Sequence, residues 1–300
     1  MQTGKESVMA LFTGSGVAIV TPHKNGYMDF DAMGELIEWH IAEGTDCIVV
    51  CGTTGEASTL DDDEHIETIK FVVDKVAKRV PVIGGAGSND TRHGVRLAKR
   101  AEDAGVDGIL NVTPYYNKAT AKGLIKHYLE YADNLNIPII LYSVASRTGL
   151  NISPAVVKEL KKHPNIAGIK EASGNISQIV EIARLVDDDF ALYCGNDDHV
   201  LPVLSLGGSG VISTIANIAP KDTHDLVQKY FDGDIAGSRE IQLKQKPLID
   251  ALFSEVNPIP VKAALYLMGK VGLEYRLPMC EPEEATMERL KKEMQAYGIL

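Results

Sequence analysis

Short apolar runs alternate with longer amphipathic segments along the chain, and this alternation restricts the possible folds more than any other feature. Most of the runs are continuously apolar rather than alternating with polar residues, as expected of parallel strands that are covered on both faces. Eight runs occur in order: GVAIVTP at 16–22, CIVVCGT at 47–53, VPVIGGAG at 80–87, GILNVTP at 108–114, PIILYS at 138–143, IAGIKEA at 166–172, FALYCGN at 190–196 and GSGVIST at 208–214.

The segments between the runs have the patterns of amphipathic helices. Positions 33, 36, 37, 40 and 41 form a stripe with the spacing that turns one helix face toward a core. The segment 61–78 opens with acidic residues, which suit the positive end of a helix dipole. Ser153 before Pro154 predicts an N-cap followed by proline at the first helical position.

Eight consecutive β-α units predict an α/β fold, a closed (β/α)8 TIM barrel, over residues 12–232. An open, doubly wound sheet is the alternative, because both folds alternate strands with helices. The count of eight and a length of roughly 200–250 residues favour the closed barrel. Helix patterns at 235–252, 258–269 and 284–297 then predict a C-terminal helical extension over residues 233–300 rather than an independent domain.

The negative net charge of the chain argues against nucleic acid as a partner. The 300 residues carry a formal net charge of −11, whereas binding to a nucleic-acid backbone needs a basic surface. No apolar stretch has the length of a membrane span, and the N-terminal stretch MQTGKESVMALFTG lacks the apolar core of a secretory signal. We therefore expect a cytoplasmic protein with no nucleic-acid or membrane partner.

In that compartment the four cysteines are expected to be buried apolar residues, with a reactive thiol at Cys51 left open as an alternative.

Unusual residues follow four of the predicted strands, at the strand ends that face the active site of a barrel. Lys170 is the most informative, because it ends an apolar run although lysine is rarely buried without a partner. It either reaches into solvent or is an amine in a partly dry pocket, where it becomes a nucleophile. The other residues on this rim are Thr53, Thr54, Tyr115, Tyr116, Tyr142 and Arg147.

Taken singly, these residues have structural explanations, since threonines between glycines form turns, paired tyrosines pack and a loop arginine is solvated. Together they supply an amine nucleophile, phenols for proton transfer, hydroxyls and an arginine for a carboxylate, which suits Schiff-base chemistry on an oxo acid. The glycine-rich stretches 84–87 and 207–210 lack a phosphate-loop pattern. The acidic stretches 61–65 and 196–199 lack a matched histidine or cysteine set. We interpret them as solvated helix N-termini, which makes a metal-dependent aldolase a minor alternative.

At these residues the sequence resembles the dihydrodipicolinate synthase family, within the N-acetylneuraminate lyase superfamily of pyruvate-dependent class I aldolases. GTTGE together with SRTG is the more specific pair, since sialic acid lyases generally lack that arginine motif. The resemblance runs from Phe12 to Leu300. The motifs that match are GTTGE at 52–56, VTPYYN at 112–117, SRTG at 146–149, GIKEASG at 168–174 and NPIPVK at 257–262.

The resemblance implies that the enzyme condenses pyruvate with L-aspartate 4-semialdehyde on the diaminopimelate route to lysine. Lys170 would form the imine with pyruvate, and Thr54 with the adjacent backbone would hold the pyruvate carboxylate. Arg147 would bind the carboxylate of aspartate semialdehyde. Gly195 and Ile212 would line the pyruvate pocket.

The resemblance also implies a proton relay and an assembly. Tyr142, Thr53 and Tyr116 would form the relay, with Tyr116 reaching in from a neighbouring subunit. The family is commonly a homotetramer built as a dimer of dimers. It needs no metal and no organic cofactor, because the imine on Lys170 carries the chemistry.

One departure leaves the choice of aldehyde open. Relatives usually have asparagine and proline where this chain has Ser143 and Ala145. Alanine lacks the φ restriction of proline, so the sequence does not settle how firmly Arg147 is positioned. Two alternatives therefore stay open: another class I pyruvate aldolase, such as one for 2-keto-3-deoxy sugar acids, and a non-catalytic barrel that binds oxo acids.

A second departure concerns regulation. Many relatives are inhibited by lysine bound in a cleft between two subunits, where a glutamate pairs with its amino group. His93 stands in the place of that glutamate, and Asp62 replaces a common histidine. Neutral histidine supplies no negative charge, so we predict weak or absent feedback inhibition. The residues that match the cleft are Ser58, His65, Asn89 and Tyr115.

Overall fold

The computed structural model describes residues 10–300. Residues 1–9, which include most of the stretch predicted to lack a secretory signal, lie outside the described residues. All eight predicted runs form strands, and a short hairpin follows the first of them. In chain order the strands are β1 (Gly14–Ala18), β2 (His23–Lys24), β3 (Tyr27–Met28), β4 (Cys47–Val50), β5 (Val82–Gly85), β6 (Gly108–Val112), β7 (Ile139–Ser143), β8 (Ile166–Glu171), β9 (Ala191–Cys194) and β10 (Gly210–Ser213).

The eight longer strands close into a barrel in which every pair is parallel. The order around the barrel is β1, β10, β9, β8, β7, β6, β5 and β4, and β4 pairs back onto β1. Closure leaves none of these strands with a free edge. The predicted (β/α)8 barrel is therefore confirmed, and the open doubly wound sheet is wrong.

Helices alternate with the barrel strands, and three more follow the barrel. Their starts match the sequence patterns: Asp61 and Glu64 form a reciprocal capping box, and the Ser153 side chain accepts a hydrogen bond from the Val156 backbone. Within residues 10–300, no helix is both long enough and apolar enough to cross a membrane. The helices are α1 (Phe30–Ala42), α2 (Asp62–Val76), α3 (Thr91–Asp103), α4 (Ala121–Asn134), α5 (Ala145–Thr148), α6 (Pro154–Leu160), α7 (Ile176–Ala183), α8 (Val200–Ser205), α9 (Pro220–Phe231), α10 (Ile235–Leu252), α11 (Ile259–Leu267) and α12 (Glu284–Tyr297).

The barrel interior is packed at one end and open at the other. Val49, Ile83 and Ile140 are among the side chains that fill it. Each buried aliphatic side chain of this kind contributes about 1.5–3 kcal/mol relative to an exposed one. Phe12, just before β1, stacks on Tyr193 with ring centroids 4.5 Å apart and exchanges hydrogen bonds with its hydroxyl. This stack fills the end where the strands begin, so the opposite end is left for a site.

The C-terminal helices pack on the barrel. Helix α10 lies against α9 and α12, and the α11 residue Lys262 is fully buried against a loop of the barrel. The predicted division between residues 232 and 233 falls between α9 and α10 and stays a prediction.

The cysteines are all free, and three of them are buried as predicted. Cys47, Cys51 and Cys194 lie in the barrel wall, whereas Cys280 is exposed. Burial raises the pKa of the Cys51 thiol well above its usual range, so the thiolate is disfavoured at neutral pH. This environment disfavours the reactive-thiol alternative at Cys51.

His40 on the inner face of α1 is a buried histidine that links folding to pH. Its side chain is fully buried, and Nδ1 lies 3.2 Å from the Thr45 hydroxyl oxygen. Burial, with a smaller effect from Lys270, lowers the pKa of His40 from 6.5 to about 3. The folded protein therefore excludes a proton that the unfolded chain binds below pH 6.5.

We predict that this stabilisation is present above pH 6.5 and is lost as the pH falls toward 3. His40 alone contributes a slope that approaches about 1.4 kcal/mol of unfolding free energy per pH unit within this window. Urea unfolding at several pH values should show a shallower pH dependence for His40→Gln than for the wild type. Identical slopes would contradict the assignment.

Candidate active site

Lys170 lies near the end of β8, and its side chain faces the inside of the barrel. It is in register with Tyr142 on β7 and Tyr193 on β9, and both tyrosines belong to the interior cluster. Residues in register on neighbouring parallel strands point to the same face, so the amine points inward as well. Lys170 is only 5 % exposed, and its Nζ lies 4.4 Å from the centroid of the Tyr142 ring. The lysine therefore does not reach into solvent, which was one of the two interpretations of the sequence.

The amine opens into a cavity of about 530 Å³ at the end of the barrel where the strands finish. The structure brings six of the sequence-predicted site residues to one wall of this cavity. They come from the ends of β4, β7, β8 and β9, which are far apart in the sequence. The six are Thr53, Thr54, Tyr142, Arg147, Lys170 and Gly195.

The loop after β4 presents Thr53 and Thr54 through a tight turn. The predicted strand continued to residue 53, but it ends at Val50 because Cys51 adopts a left-handed φ of 53°. The Gly55 amide then donates to the Gly52 carbonyl at 3.1 Å, which closes the turn. Gly85 on β5 allows this path, since a Cβ there would lie 2.2 Å from the Cys51 carbonyl oxygen.

Asn257 connects two of the predicted binding residues. Its side-chain amide donates to Thr54 Oγ1 at 2.9 Å, and its backbone carbonyl accepts from Arg147 Nη2 at 3.1 Å. Asn257 also lines the cavity. Sequence reasoning used NPIPVK only as a matching motif and missed this residue. The available signal was a polar residue at the start of an otherwise apolar, proline-rich stretch.

The loop that carries Arg147 is held without the usual asparagine and proline. Ala145 is the first residue of the one-turn helix α5, in which the Arg147 amide donates to the Val144 carbonyl at 3.0 Å. The Ser143 hydroxyl donates to the Asn151 side chain at 3.2 Å. It also accepts a hydrogen bond from the backbone amide of Ile152, the residue after Asn151. Helical geometry thus replaces the φ restriction of proline, and Arg147 has a defined place on the cavity wall.

The end of β9 contributes close packing and a buried carboxylate. A Cβ on Gly195 would lie 2.7 Å from the Cβ of Ala172, so only glycine fits there. Asp197 is buried and accepts hydrogen bonds from the backbone amides of Thr214 at 3.1 Å and Ile215 at 2.9 Å. Burial raises the pKa of this carboxyl group. The interpretation of 196–199 as a solvated helix N-terminus is therefore wrong for Asp197, which ties the end of β9 to the loop after β10.

Two predicted residues lie away from the cavity wall. Ile212 packs in the barrel interior together with Tyr142 and Tyr193 and is not among the residues that line the cavity, so its contact with pyruvate stays a prediction. Tyr116 is 92 % exposed on a left-handed φ of 72° and is not among the residues that line this cavity. The catalytic role of Tyr116 stays a prediction.

A second cavity of about 400 Å³ adjoins the first across Thr53 and Tyr142. Ser58, His65 and Tyr115 line it as expected of the predicted cleft, whereas Asn89 does not.

Asp62 and His93 also line this second cavity, and they contact each other. The distance from His93 Nε2 to Asp62 Oδ1 is 2.8 Å, and His93 Nδ1 lies 3.0 Å from the Ser88 hydroxyl oxygen. The hydrogen bond from His93 lowers the pKa of the Asp62 carboxyl group. The Asp62 carboxylate therefore lies on the wall of the second cavity and is already partnered there by His93.

Comparisons of sequence and of structure with known proteins indicate the same family. A profile of the Dihydrodipicolinate synthetase family matches residues 11–297. The 4-hydroxy-tetrahydrodipicolinate synthase of Caldicellulosiruptor bescii is 55% identical over 292 residues, which cover 97% of this chain and 99% of the relative. A structure described as the first monomeric dihydrodipicolinate synthase variant matches with a TM-score of 0.95 at 41% identity, covering 97% of this chain and 98% of that one. The structure of DHDPS from Cyanidioschyzon merolae with lysine bound matches with a TM-score of 0.94 at 37% identity, covering 97% and 100% of the two chains.

Proposed function

The chain belongs to the dihydrodipicolinate synthetase family, and from this premise we propose that Lys170 condenses pyruvate with L-aspartate 4-semialdehyde through an imine. The activity is that of a lyase, 4-hydroxy-tetrahydrodipicolinate synthase, in lysine and diaminopimelate biosynthesis. The observation that carries the mechanism is the buried Lys170 beside the Tyr142 ring, on the wall of a cavity that also holds Thr53 and Thr54.

The first step is covalent capture of pyruvate. The neutral amine of Lys170 attacks the ketone carbon, and loss of water from the resulting carbinolamine gives an imine. Water loss needs a proton on the leaving hydroxyl, and Tyr142 is the phenol next to the amine in the described structure. Thr54, with the backbone around it, would hold the pyruvate carboxylate so that the ketone carbon faces Lys170.

The imine then makes the methyl group of pyruvate reactive. The protonated imine withdraws electrons, so a methyl proton transfers to the Tyr142 phenolate left by the first step and an enamine forms; Tyr142 returns this proton to the aldehyde oxygen when the new carbon–carbon bond forms. The enamine carbon attacks the aldehyde carbon of the second substrate, whose carboxylate would bind Arg147. The amino group of that substrate attacks the imine carbon, which closes the ring and releases Lys170. The imine supplies the electron sink, so the scheme requires no metal or organic cofactor.

The proposed location is the cytoplasm, a reducing compartment in which free cysteines are usual.

Borohydride trapping tests the imine. We expect pyruvate with borohydride to add a reduced three-carbon adduct to Lys170, which peptide mass analysis can locate, because borohydride reduces an imine to a stable amine. Lys170→Met should lose the adduct and the activity together. Lys246→Met, an exposed lysine on α10, should keep both and serves as the matched control. An intact protein with no adduct would contradict the mechanism and favour the non-catalytic barrel.

The aldehyde preference separates the proposed reaction from that of another pyruvate aldolase. We expect kcat/KM for aspartate semialdehyde to exceed that for sugar aldehydes, because Arg147 is held on the cavity wall by α5 and by the Asn257 carbonyl. Arg147→Met should lower kcat/KM for the semialdehyde tenfold to a hundredfold, as expected for one charged hydrogen bond of about 1.5–3 kcal/mol. Equal or better turnover of the sugar aldehydes would favour the alternative.

We propose a homotetramer, built as a dimer of dimers, in which Tyr116 completes the site of a neighbouring subunit. The exposed Tyr116 supports this assembly, as does Leu277, an apolar side chain that is 84 % exposed in the single chain. Tyr142, Thr53 and the neighbour's Tyr116 would then form the proton relay.

Subunit mixing tests the shared site. Lys170→Met and Tyr116→Phe should each have low activity, but a mixed dimer contains one site with both Lys170 and a partner's tyrosine. Random pairing therefore restores about a quarter of the wild-type activity when the two variants are dissociated and reassembled together. No gain on mixing, with hybrids verified by mass, would place Tyr116 in its own subunit's site or outside catalysis.

The second cavity is the proposed place for lysine, as suggested by the lysine-bound relative. We predict weak or absent inhibition, because His93 supplies no negative charge and the Asp62 carboxylate is engaged with it. Initial rates at saturating pyruvate should show no half-inhibition below about 1 mM lysine, which corresponds to a binding free energy of about −4 kcal/mol. The double variant Asp62→His/His93→Glu should be inhibited at tenfold to hundredfold lower lysine. Sub-millimolar half-inhibition of the wild type would contradict the prediction.

A further inference from the structure

A fully buried ion pair connects the C-terminal extension to the turn that carries Thr53 and Thr54. Lys262 on α11 is 0 % exposed, and its Nζ lies 2.5 Å from Glu56 Oε1, across 206 residues of sequence. The same Nζ lies 3.2 Å from Nδ1 of His23. Burial and the nearby Lys262 charge lower the pKa of His23 to about 3, so His23 is a neutral acceptor. Burial also lowers the pKa of Lys262, and the charge of Glu56 and its hydrogen bond oppose this shift.

Glu56 is the residue through which this pair acts on the site. Its φ of 52° is left-handed, a conformation that few non-glycine residues adopt. Its backbone amide donates to the Thr53 carbonyl at 3.1 Å, so the position of Glu56 fixes the position of Thr53. The Glu56 carbonyl accepts from the Thr59 amide at 2.9 Å, which holds the other side of the turn. Left-handed residues of this kind persist only where the surroundings hold them in place.

We propose that Lys262 and Glu56 are positioning residues that hold the Thr53–Thr54 turn in the geometry that binds the pyruvate carboxylate. The inference rests on the proposed function, because it takes pyruvate as the ligand of this turn. Neither side chain lies on the wall of the first cavity, so both act through the backbone. The C-terminal extension thereby becomes part of the substrate site, with Asn257 and Lys262 reaching the same turn from one segment.

If the ion pair has only a structural role, the expected result for the double variant is different. If the pair only compensates two buried charges, then removal of both charges restores whatever a single substitution loses. If the pair positions the turn, the neutral double variant folds but still binds pyruvate poorly. Glu56→Gln/Lys262→Met is therefore the informative protein, since Lys262→Met alone leaves Glu56 buried without its partner.

The experiment measures pyruvate affinity by calorimetry, and KM for each substrate, in the full-length protein. For Glu56→Gln/Lys262→Met we expect pyruvate to bind about tenfold to a hundredfold more weakly, the effect of losing one hydrogen bond to a charged group. The KM for aspartate semialdehyde should change less than about threefold, because the backbone of α5 positions Arg147 through its own hydrogen bond to Val144. The matched control is Lys246→Met/Asp250→Asn, an exposed pair on α10, which should match the wild type.

The outcomes separate this inference from the proposed function. A double variant that folds and binds pyruvate within twofold of the wild type overturns the inference, even when borohydride traps the imine normally. Weaker pyruvate binding supports it, even when no adduct forms on Lys170, a result that would instead contradict the imine mechanism. Equal losses for pyruvate and aspartate semialdehyde would show general disruption and would also overturn the inference.

Discussion

The parallel register of a closed barrel is the constraint on which the site depends. Because β7, β8 and β9 run in the same direction and are paired in register, Tyr142, Lys170 and Tyr193 point to the same interior face. Tyr193 is held by Phe12 toward the packed end, which leaves Tyr142 and Lys170 at the open end. A one-residue shift of β8 would turn Lys170 outward and bring Glu171 into the interior.

The barrel places the residues, and loops with unusual backbone conformations refine their geometry. Cys51 and Glu56 both adopt left-handed φ angles, on either side of Gly52, Thr53 and Thr54. Such conformations are unfavourable by about 1–3 kcal/mol each and need support from their surroundings. Gly85 makes room beneath the loop, while the C-terminal extension contacts it from above through Asn257 and Lys262. The extension therefore stabilises the loop that carries the proposed pyruvate-binding residues.

Much of this arrangement follows from the sequence, for identifiable physical reasons. The eight apolar runs predicted all eight barrel strands, since parallel strands covered on both faces must be continuously apolar. The patterns at 235–252, 258–269 and 284–297 predicted the C-terminal helices almost to the residue, because their apolar spacing and flanking prolines are strong signals.

The remaining features depend on contacts between distant residues, which periodicity does not encode. The buried role of Asp197 arises from amides at 214 and 215, and the Lys262–Glu56 pair joins positions 206 residues apart. Ile212 lies on the same interior face of the barrel as Tyr142, and its contact with pyruvate stays a prediction because register alone does not show which interior residues a ligand touches. The change from strand to turn at Cys51 could not be predicted from the sequence either, since cysteine has no turn preference.

The central claim is that Lys170 forms an imine with pyruvate while the turn at Thr53 and Thr54 holds the pyruvate carboxylate. A high-resolution crystal structure of the protein soaked in pyruvate tests both parts together. The account predicts continuous density between Lys170 Nζ and the ketone carbon, with the carboxylate at hydrogen-bond distance, about 2.7–3.2 Å, from Thr54 and its neighbouring amide. Pyruvate bound without a covalent link at full occupancy, or with its carboxylate on Arg147, would contradict the account.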